Sequence, residues 1–90
     1  MTEEEKMLAG KLYDPSDAQL TTRLHLAHRL SQQYNQTFDD ETSKRENLLD
    51  QLIPHHDTGL YLQGPIFFDY GLYTHLGKNF YANTNFTVLD

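Results

Sequence analysis

The sequence predicts an α+β fold in which three helices precede a coil of short parallel strands. Charged residues are concentrated in the first 56 positions, whereas most of the aromatic residues follow them. In the last third, small or apolar residues return at every sixth position, a period that fits neither a helix nor a plain alternating strand. A period of six is typical of a parallel β-helix, in which each side of the coil is one short strand.

The six-residue pattern defines two columns. The first column consists of Tyr70-Gly71, Leu76-Gly77, Ala82-Asn83 and Val88-Leu89. The second column consists of Phe68, Thr74, Phe80 and Phe86. Gly and Asn tolerate positive φ, so we expect those of the first column at corners between strands. The pattern is still present at Asp90, and we therefore expect these residues to open a longer coil.

The first half of the chain predicts helices with one apolar face each. Thr2 and Glu5 form a capping-box pattern that starts a short helix extending to about Lys11. Ser16 and Gln19 repeat the pattern ahead of a longer amphipathic helix. Its expected buried face consists of Leu20, Leu24, Ala27, Leu30 and Tyr34. The aromatic segment is the surface on which we expect these faces to pack.

A third helix and a linker complete the predicted organisation. Asp39 or Asp40 caps this helix, and Pro54 ends it. Its expected buried side chains are Leu48, Leu49, Leu52 and Ile53. We therefore divide the chain into a helical region, residues 1–56, and a region of residues 57–90 that holds a linker strand and the first coils of the β-helix.

Composition excludes several classes of function. A formal net charge of −6 argues against nucleic acid as a partner, because phosphate binding depends on clustered Lys and Arg. No apolar run approaches the roughly 18 residues that a membrane span requires, and the acidic start is unlike that of a signal peptide. The absence of cysteine removes thiolate zinc sites and cysteine nucleophiles from these residues. We expect a cytoplasmic protein without a nucleic-acid or membrane partner.

Five histidines raise the question of a metal site. His25 and His28 lie three positions apart on a predicted helix, and His55 and His56 are adjacent. No specific ligand pattern such as H-E-x-x-H is present, so we expect no metal site and assign these side chains surface or structural roles. His75 is interpreted as an outward-facing side chain of the repeat, with a substrate contact as the alternative.

Polar residues within the aromatic segment are better candidates for a site. They are Asp69, Tyr81, Asn83 and Asn85. One interpretation gives them corner-forming and hydrogen-bonding roles in the coil. The other is a polar pocket that hydrogen-bonds a polyhydroxylated ligand beside aromatic walls, with Asp69 and Asn83 on one edge. The residue types alone do not separate these interpretations.

Several stretches of the sequence resemble one protein family. They are residues 5–13, Asp14-Pro15, Arg23, Tyr34-Asn35, Asp69-Tyr70-Gly71, residues 77–83 and Leu89-Asp90. Through them the whole chain resembles the maltose and galactoside O-acetyltransferase family. The resemblance implies a helical amino-terminal cap followed by the opening coils of a left-handed hexapeptide β-helix. It is specific for the family and does not identify the acceptor sugar.

The resemblance implies acetyl transfer from acetyl-CoA to the hydroxyl of a sugar acceptor. It also implies a homotrimer with active sites between neighbouring β-helices. A His in a later coil is the general base of the family, and we expect it beyond Asp90, together with the coils that hold CoA. The 90 residues alone are therefore expected to be inactive, as a truncated product, a fragment or an incomplete gene model.

Individual positions also match the family. Asn83 matches an active-site Asn whose amide can stabilise the oxyanion of the tetrahedral intermediate. Asp14 matches an acidic contact to the acceptor, with Asp17 as the alternative, and Asp69 matches a contact to acceptor hydroxyls. Tyr81 and Arg23 match further substrate-binding positions.

A second hypothesis belongs to a different class of function. The chain is then a non-catalytic module of helical cap and β coil that binds a sugar or mediates assembly. We also expect weak stability or oligomerisation, because a short coil exposes an unpaired strand edge.

Overall fold

The architecture follows the predicted order of helices and strands. A computed structural model describes all residues from Met1 to Asp90. The helices are α1 (Glu3–Leu8), α2 (Ala18–Asn35) and α3 (Thr42–Leu52). The strands are β1 (His55–His56), β2 (Tyr61–Leu62), β3 (Ile66–Phe68), β4 (His75–Leu76), β5 (Tyr81–Ala82) and β6 (Phe86–Val88). None of the helices has both the length and the apolar character needed to cross a membrane.

The first helix begins as predicted and ends early. The capping box is present, because the Thr2 side chain accepts from the backbone N–H of Glu5 and the Glu5 side chain accepts from that of Thr2. The helix nevertheless ends at Leu8 rather than near Lys11. Gly10 adopts a φ of +73°, which is incompatible with a continuing right-handed helix.

Aspartate, not serine, starts the second helix. The N-cap of α2 is Asp17, whose carboxylate accepts from the backbone N–H groups of Gln19 and Leu20. The negative charge there also complements the positive end of the helix dipole. The predicted N-cap, Ser16, instead donates its hydroxyl hydrogen to Asp14.

The third helix lacks a side-chain cap. Its N-cap position is Glu41, so the expectation that Asp39 or Asp40 caps the helix is wrong. The Glu41 carboxylate accepts from the backbone N–H of Phe38, which precedes the helix, and therefore stabilises the turn between α2 and α3.

The strands pair across one circuit of the chain. β1 pairs with β4, β2 with β5 and β3 with β6, and all three pairs are parallel. Paired residues such as His55 and His75 are 20 positions apart. Three two-stranded parallel sheets therefore form three sides of a coil, and β1 already lies within the predicted helical region 1–56.

The six-residue spacing holds within a circuit and fails between circuits. Within each circuit, core-facing residues of successive strands are six positions apart. They are Leu62 and Phe68 in the first circuit, and Leu76, Ala82 and Val88 in the second. Phe68 and Leu76 are eight positions apart, because the corner at residues 69–74 holds two additional residues. The extension of the pattern through Tyr70 and Thr74 is therefore wrong, since both lie in this corner.

Positive φ occurs at corners, though not at all the predicted residues. Asn79 and Asn85 have φ values of 58° and 62°, whereas Gly77 and Asn83 are not in this region. Gly71 agrees with the prediction, with a φ of 73°. A side chain at Gly71 would place its Cβ 2.1 Å from the Leu52 carbonyl oxygen, so only glycine fits this corner.

The helical region covers one edge of the first circuit. The Asn35 side chain accepts from the backbone N–H of Ile66 at 2.7 Å and donates to its carbonyl at 2.8 Å. The Ser31 hydroxyl accepts from the backbone N–H of Phe68 at 3.2 Å. β3 has only one strand partner, β6, which leaves the backbone groups on its other edge without a strand. The side chains of Asn35 and Ser31 supply the hydrogen bonds for these groups. α2 therefore caps the coil and removes an exposed strand edge.

Arg45 of α3 extends this cover to β2. Its buried guanidinium donates to the Thr37 hydroxyl at 2.8 Å and to the carbonyls of Leu62 and Gln63, both at 3.2 Å. It also lies 4.6 Å from the centroid of the Tyr34 ring. The hydrophobic core lies between the cap and the coil and consists of Ala27, Leu30, Tyr34, Leu49, Leu52, Ile53, Leu62, Ile66, Phe68 and Ala82.

Candidate functional site

Asn83 occupies the corner that follows β5, where its side chain is exposed. The parallel pairing of β5 with β2 places it there. Its Oδ1 accepts from the backbone N–H of Thr84 at 3.0 Å. This bond orients the side-chain amide, and no protein group accepts a hydrogen bond from its nitrogen. The amide therefore presents N–H donors to a ligand.

Tyr81 lies two residues before this corner on the outer face of β5. Its ring stacks on that of Tyr61, with centroids 5.4 Å apart and planes at 13°, because the parallel register pairs the two residues. The side chain is still 61 % exposed. Tyr81 therefore offers an exposed aromatic surface on the strand that leads into the Asn83 corner.

Asp69 follows β3 and has a partner on the cap. Its Oδ1 lies 3.2 Å from Nε2 of His28, which projects from α2. The His28 ring also packs against the Phe67 ring, with centroids 4.7 Å apart. His28 and Asp69 side chains are each 30 % exposed, so a ligand can still reach the carboxylate.

Asp69 and Asn83 do not share an edge. Asp69 follows β3 and Asn83 follows β5, and these strands belong to different two-stranded sheets. The expectation that both residues lie on one edge is wrong, because the coil turns onto a new side after each strand.

Asp14 lies in the exposed segment between α1 and α2. Its Oδ1 accepts from the Ser16 hydroxyl at 2.6 Å and from the Ser16 backbone N–H at 3.0 Å. These two bonds lower the pKa of the Asp14 carboxyl, so the group is ionised at neutral pH. The alternative residue, Asp17, uses its carboxylate to cap α2. Asp14 is therefore the better placed of the two to accept a hydrogen bond from a ligand.

Arg23 belongs to a polar cluster between α1, α2 and the corner at residues 69–74. Its guanidinium donates to the Glu4 carboxylate and, at 3.3 Å, to the Tyr73 hydroxyl. The Tyr73 hydroxyl in turn donates to Glu4 at 2.6 Å. The bond to Tyr73, and then the charge of Glu4, raise the pKa of Arg23, whereas burial and the bond to Glu4 raise that of Tyr73 to about 12.

This polar cluster attaches α1 to α2 and to the corner at residues 69–74. No residue of α1 is buried, so hydrophobic packing contributes little to its position. Arg23 also lines a small cleft of about 190 Å³ between the cap and the corner, whose other lining is mainly apolar and includes Leu26, Leu30 and Leu72. Glu4 and Tyr73 hold the Arg23 side chain at the border of this cleft.

The remaining histidines with side-chain contacts lie on β1 and β4. His55 and His75 stack with ring centroids 4.7 Å apart, and His56 Nε2 lies 2.9 Å from the Asp50 carboxylate. No group of three or more His, Cys, Asp or Glu side chains is arranged to hold a metal ion. A neighbouring cleft of about 330 Å³ contains Asp50 and Asp57, an acidic lining that does not suit the phosphates of a nucleotide.

Three residues have clear partners that sequence reasoning did not predict. They are Glu4, His28 and Tyr73. Their partners lie between 19 and 69 positions away in the chain, so no local spacing reveals them. Only correlated substitutions at these positions among related sequences would have indicated the pairs.

Comparison with known proteins identifies both parts of the architecture. The maltose acetyltransferase hexapeptide capping motif matches residues 6–57, which include all of α2 and α3. The galactoside O-acetyltransferase of Escherichia coli is 31% identical over 86 residues, a segment that spans 96% of this chain and 42% of that protein.

Solved structures agree with this match. A galactoside acetyltransferase in complex with coenzyme A superimposes with a TM-score of 0.90 and 31% identity, over 100% of this chain and 45% of that one. A hexapeptide-repeat acetyltransferase from Vibrio cholerae, complexed with acetyl coenzyme A, gives a TM-score of 0.83 and 28% identity, over 100% and 48%.

The chain thus spans less than half the length of each of these three relatives. The matched capping motif nevertheless covers more than half of the chain, and the helices and parallel strands agree with the solved relatives. The chain belongs to the maltose and galactoside O-acetyltransferase family, of which it represents the amino-terminal part.

Proposed function

We propose that this chain supplies the acceptor side of a sugar O-acetyltransferase site, which moves acetyl from acetyl-CoA to the hydroxyl of a maltose-, galactoside- or glucose-type acceptor. Acetyl-CoA is the co-substrate of the family. The observation that carries the proposal is the orientation of Asn83, whose amide oxygen is occupied by Thr84 and whose N–H donors are free.

The reaction develops negative charge on one oxygen. When the acceptor hydroxyl attacks the thioester carbonyl, its proton passes to a general base and the carbonyl oxygen becomes an oxyanion. The Asn83 amide donates a hydrogen bond to that oxyanion, and a donor in this role typically contributes a rate factor of about 10²–10³. Collapse of the intermediate releases CoA as the thiol and leaves the acetyl ester on the sugar.

We assign the two acidic residues to binding of the sugar acceptor. Asp14 and Asp69 are exposed enough to accept hydrogen bonds from sugar hydroxyls, and each retains a carboxylate oxygen without a protein partner. Tyr81 adds an aromatic wall, and Arg23 contacts the acceptor from the border of its cleft.

The separation of these residues supports a shared site. Asp69 and Asn83 lie on different sides of the coil, so a single copy does not join them. We propose that residues 57–90 open a left-handed β-helix, that three copies assemble, and that corners of neighbouring copies complete each site. The general base and the CoA-binding groups then come from coils outside these 90 residues. A cytoplasmic location stays a prediction.

A chimera tests the proposal. Residues 1–90 are joined to the remaining coils of the Escherichia coli galactoside O-acetyltransferase, and CoA release is followed with acetyl-CoA and maltose, a galactoside or glucose. We expect turnover by the chimera and none by the 90 residues alone. A folded chimera without turnover would contradict the acetyltransferase proposal, and sugar binding without turnover would favour the non-catalytic module. Turnover by the 90 residues alone would show that the general base lies within them.

A further inference from the structure

The contact between His28 and Asp69 joins the cap to the proposed acceptor site. Nε2 of His28 lies 3.2 Å from Oδ1 of Asp69, although the two residues are 41 positions apart. The His28 ring also packs against the Phe67 ring, at 4.7 Å between centroids. Asp69 itself is anchored through its backbone N–H, which donates to the Val88 carbonyl at 3.1 Å.

This geometry restricts the carboxylate without occupying it. A short aspartate side chain at a corner has several rotamers, and a hydrogen bond from an imidazole selects one of them. Only Oδ1 takes part in the contact, which leaves Oδ2 available as an acceptor. The side chain is 30 % exposed, so a hydroxyl group can approach it.

We propose that His28 is a positioning residue for acceptor recognition, whose Nε2–H holds Asp69 so that Oδ2 accepts a hydrogen bond from one hydroxyl of a polyhydroxylated acceptor. The inference rests on the proposed function and extends it to a residue of the cap. The binding of the acceptor then depends on the contact between α2 and the coil, because His28 and Asp69 belong to different regions of the fold.

The test uses the 90-residue chain and three variants. His28→Phe keeps a ring against Phe67 and removes the donor, whereas His28→Gln keeps an N–H donor. His25→Gln is the matched control, because His25 is exposed on the same helix and has no such partner. Nitrogen NMR of the imidazole reports which ring nitrogen carries the proton, and NMR titrations with maltose and methyl galactoside report the dissociation constant.

We expect a His28 ring protonated at Nε2. In His28→Phe the dissociation constant should rise about tenfold, the factor that corresponds to loss of the hydrogen bond between Asp69 and the acceptor. His28→Gln should stay within about threefold of the parent chain, and His25→Gln should bind equally well. Thermal unfolding of each variant separates a binding effect from a loss of folding.

The inference would be overturned by protonation of neutral His28 at Nδ1 alone, by no sugar binding to the parent chain, or by equal binding to His28→Phe and the parent. An equal loss of binding in His28→Gln and His28→Phe would also do so, since it would indicate a packing role. None of these measurements uses acetyl transfer. Failure of the proposed function appears instead in the chimera, as loss of turnover with the His28–Asp69 contact intact.

Discussion

Replacing Arg45 by Met tests whether the cap stabilises the coil through the backbone of its first circuit. The substitution keeps an unbranched apolar stem in the core and removes every donor. Three hydrogen bonds are lost, to the Thr37 hydroxyl and to the carbonyls of Leu62 and Gln63. The contact with the Tyr34 ring is lost as well.

The expected cost follows from these contacts. Three hydrogen bonds at about 1 kcal/mol each, and a cation–π contact of about 0.5–1 kcal/mol, give a loss of about 3–4 kcal/mol. The ion pair with Asp39, at 3.5 Å, adds little because the Asp39 side chain is 69% exposed. A domain of this length has a free energy of unfolding of about 5–13 kcal/mol, so the loss is a large fraction of the total.

Urea unfolding followed by circular dichroism measures this change. Lys44→Met is the matched control, because Lys44 is the preceding residue of α3 and its contact with Glu41 is an exposed pair at 3.9 Å. We expect the control to change stability by less than about 0.5 kcal/mol. Arg45→Lys should still lose about 2 kcal/mol, since an ammonium group cannot reproduce the planar set of donors. A loss below about 1 kcal/mol in Arg45→Met would refute this account of the cap.

Three further predictions concern the corner at residues 69–74 and the candidate site. Gly71→Ala should destabilise the fold by more than about 2 kcal/mol in urea, because its φ is positive and the Cβ meets Leu52, whereas Gly77→Ala, with open space around it, should be neutral. Stability should fall as the pH rises from 10 to about 12, since the unfolded chain releases the Tyr73 proton first, and Tyr73→Phe should make this fall shallower. In the chimera, Asn83→Ala should lower kcat by roughly 10²–10³ with unchanged thermal stability, and a change confined to stability would contradict the oxyanion role.

Local patterns in the sequence were sufficient for the helices and for much of the core. The buried face of α2 was predicted because residues three and four positions apart share one side of a helix, and Leu20, Ala27, Leu30 and Tyr34 are buried there. The capping box at Thr2 was predicted because both partners lie within four residues. The start of α2 was not, because Ser16 and Asp17 are both good N-caps and only the backbone path selects Asp17.

The candidate site was predictable only as a set of separate residues. Sequence reasoning named Asn83 and Asp69, yet it placed them on one edge, because the residue types do not show on which side of the coil each strand lies. The corner at residues 69–74 holds two more than the repeat, and the circuit is therefore 20 residues long. The partners of Asp69 and Arg23 could not be predicted, since tertiary packing brings His28, Glu4 and Tyr73 to them from 19 to 50 positions away.

The sequence by itself therefore determined the order of elements, the apolar faces of the helices and the family, because these depend on spacing within a few residues and on local motifs. The tertiary structure alone decided the pairing of strands across 20 positions, the cover of β2 and β3 by Arg45 and Asn35, and the contact of His28 with Asp69. The physical reason is that a backbone group or carboxylate left without a partner is satisfied by whichever side chain the packing brings within hydrogen-bond distance, and no periodicity in the chain records that distance.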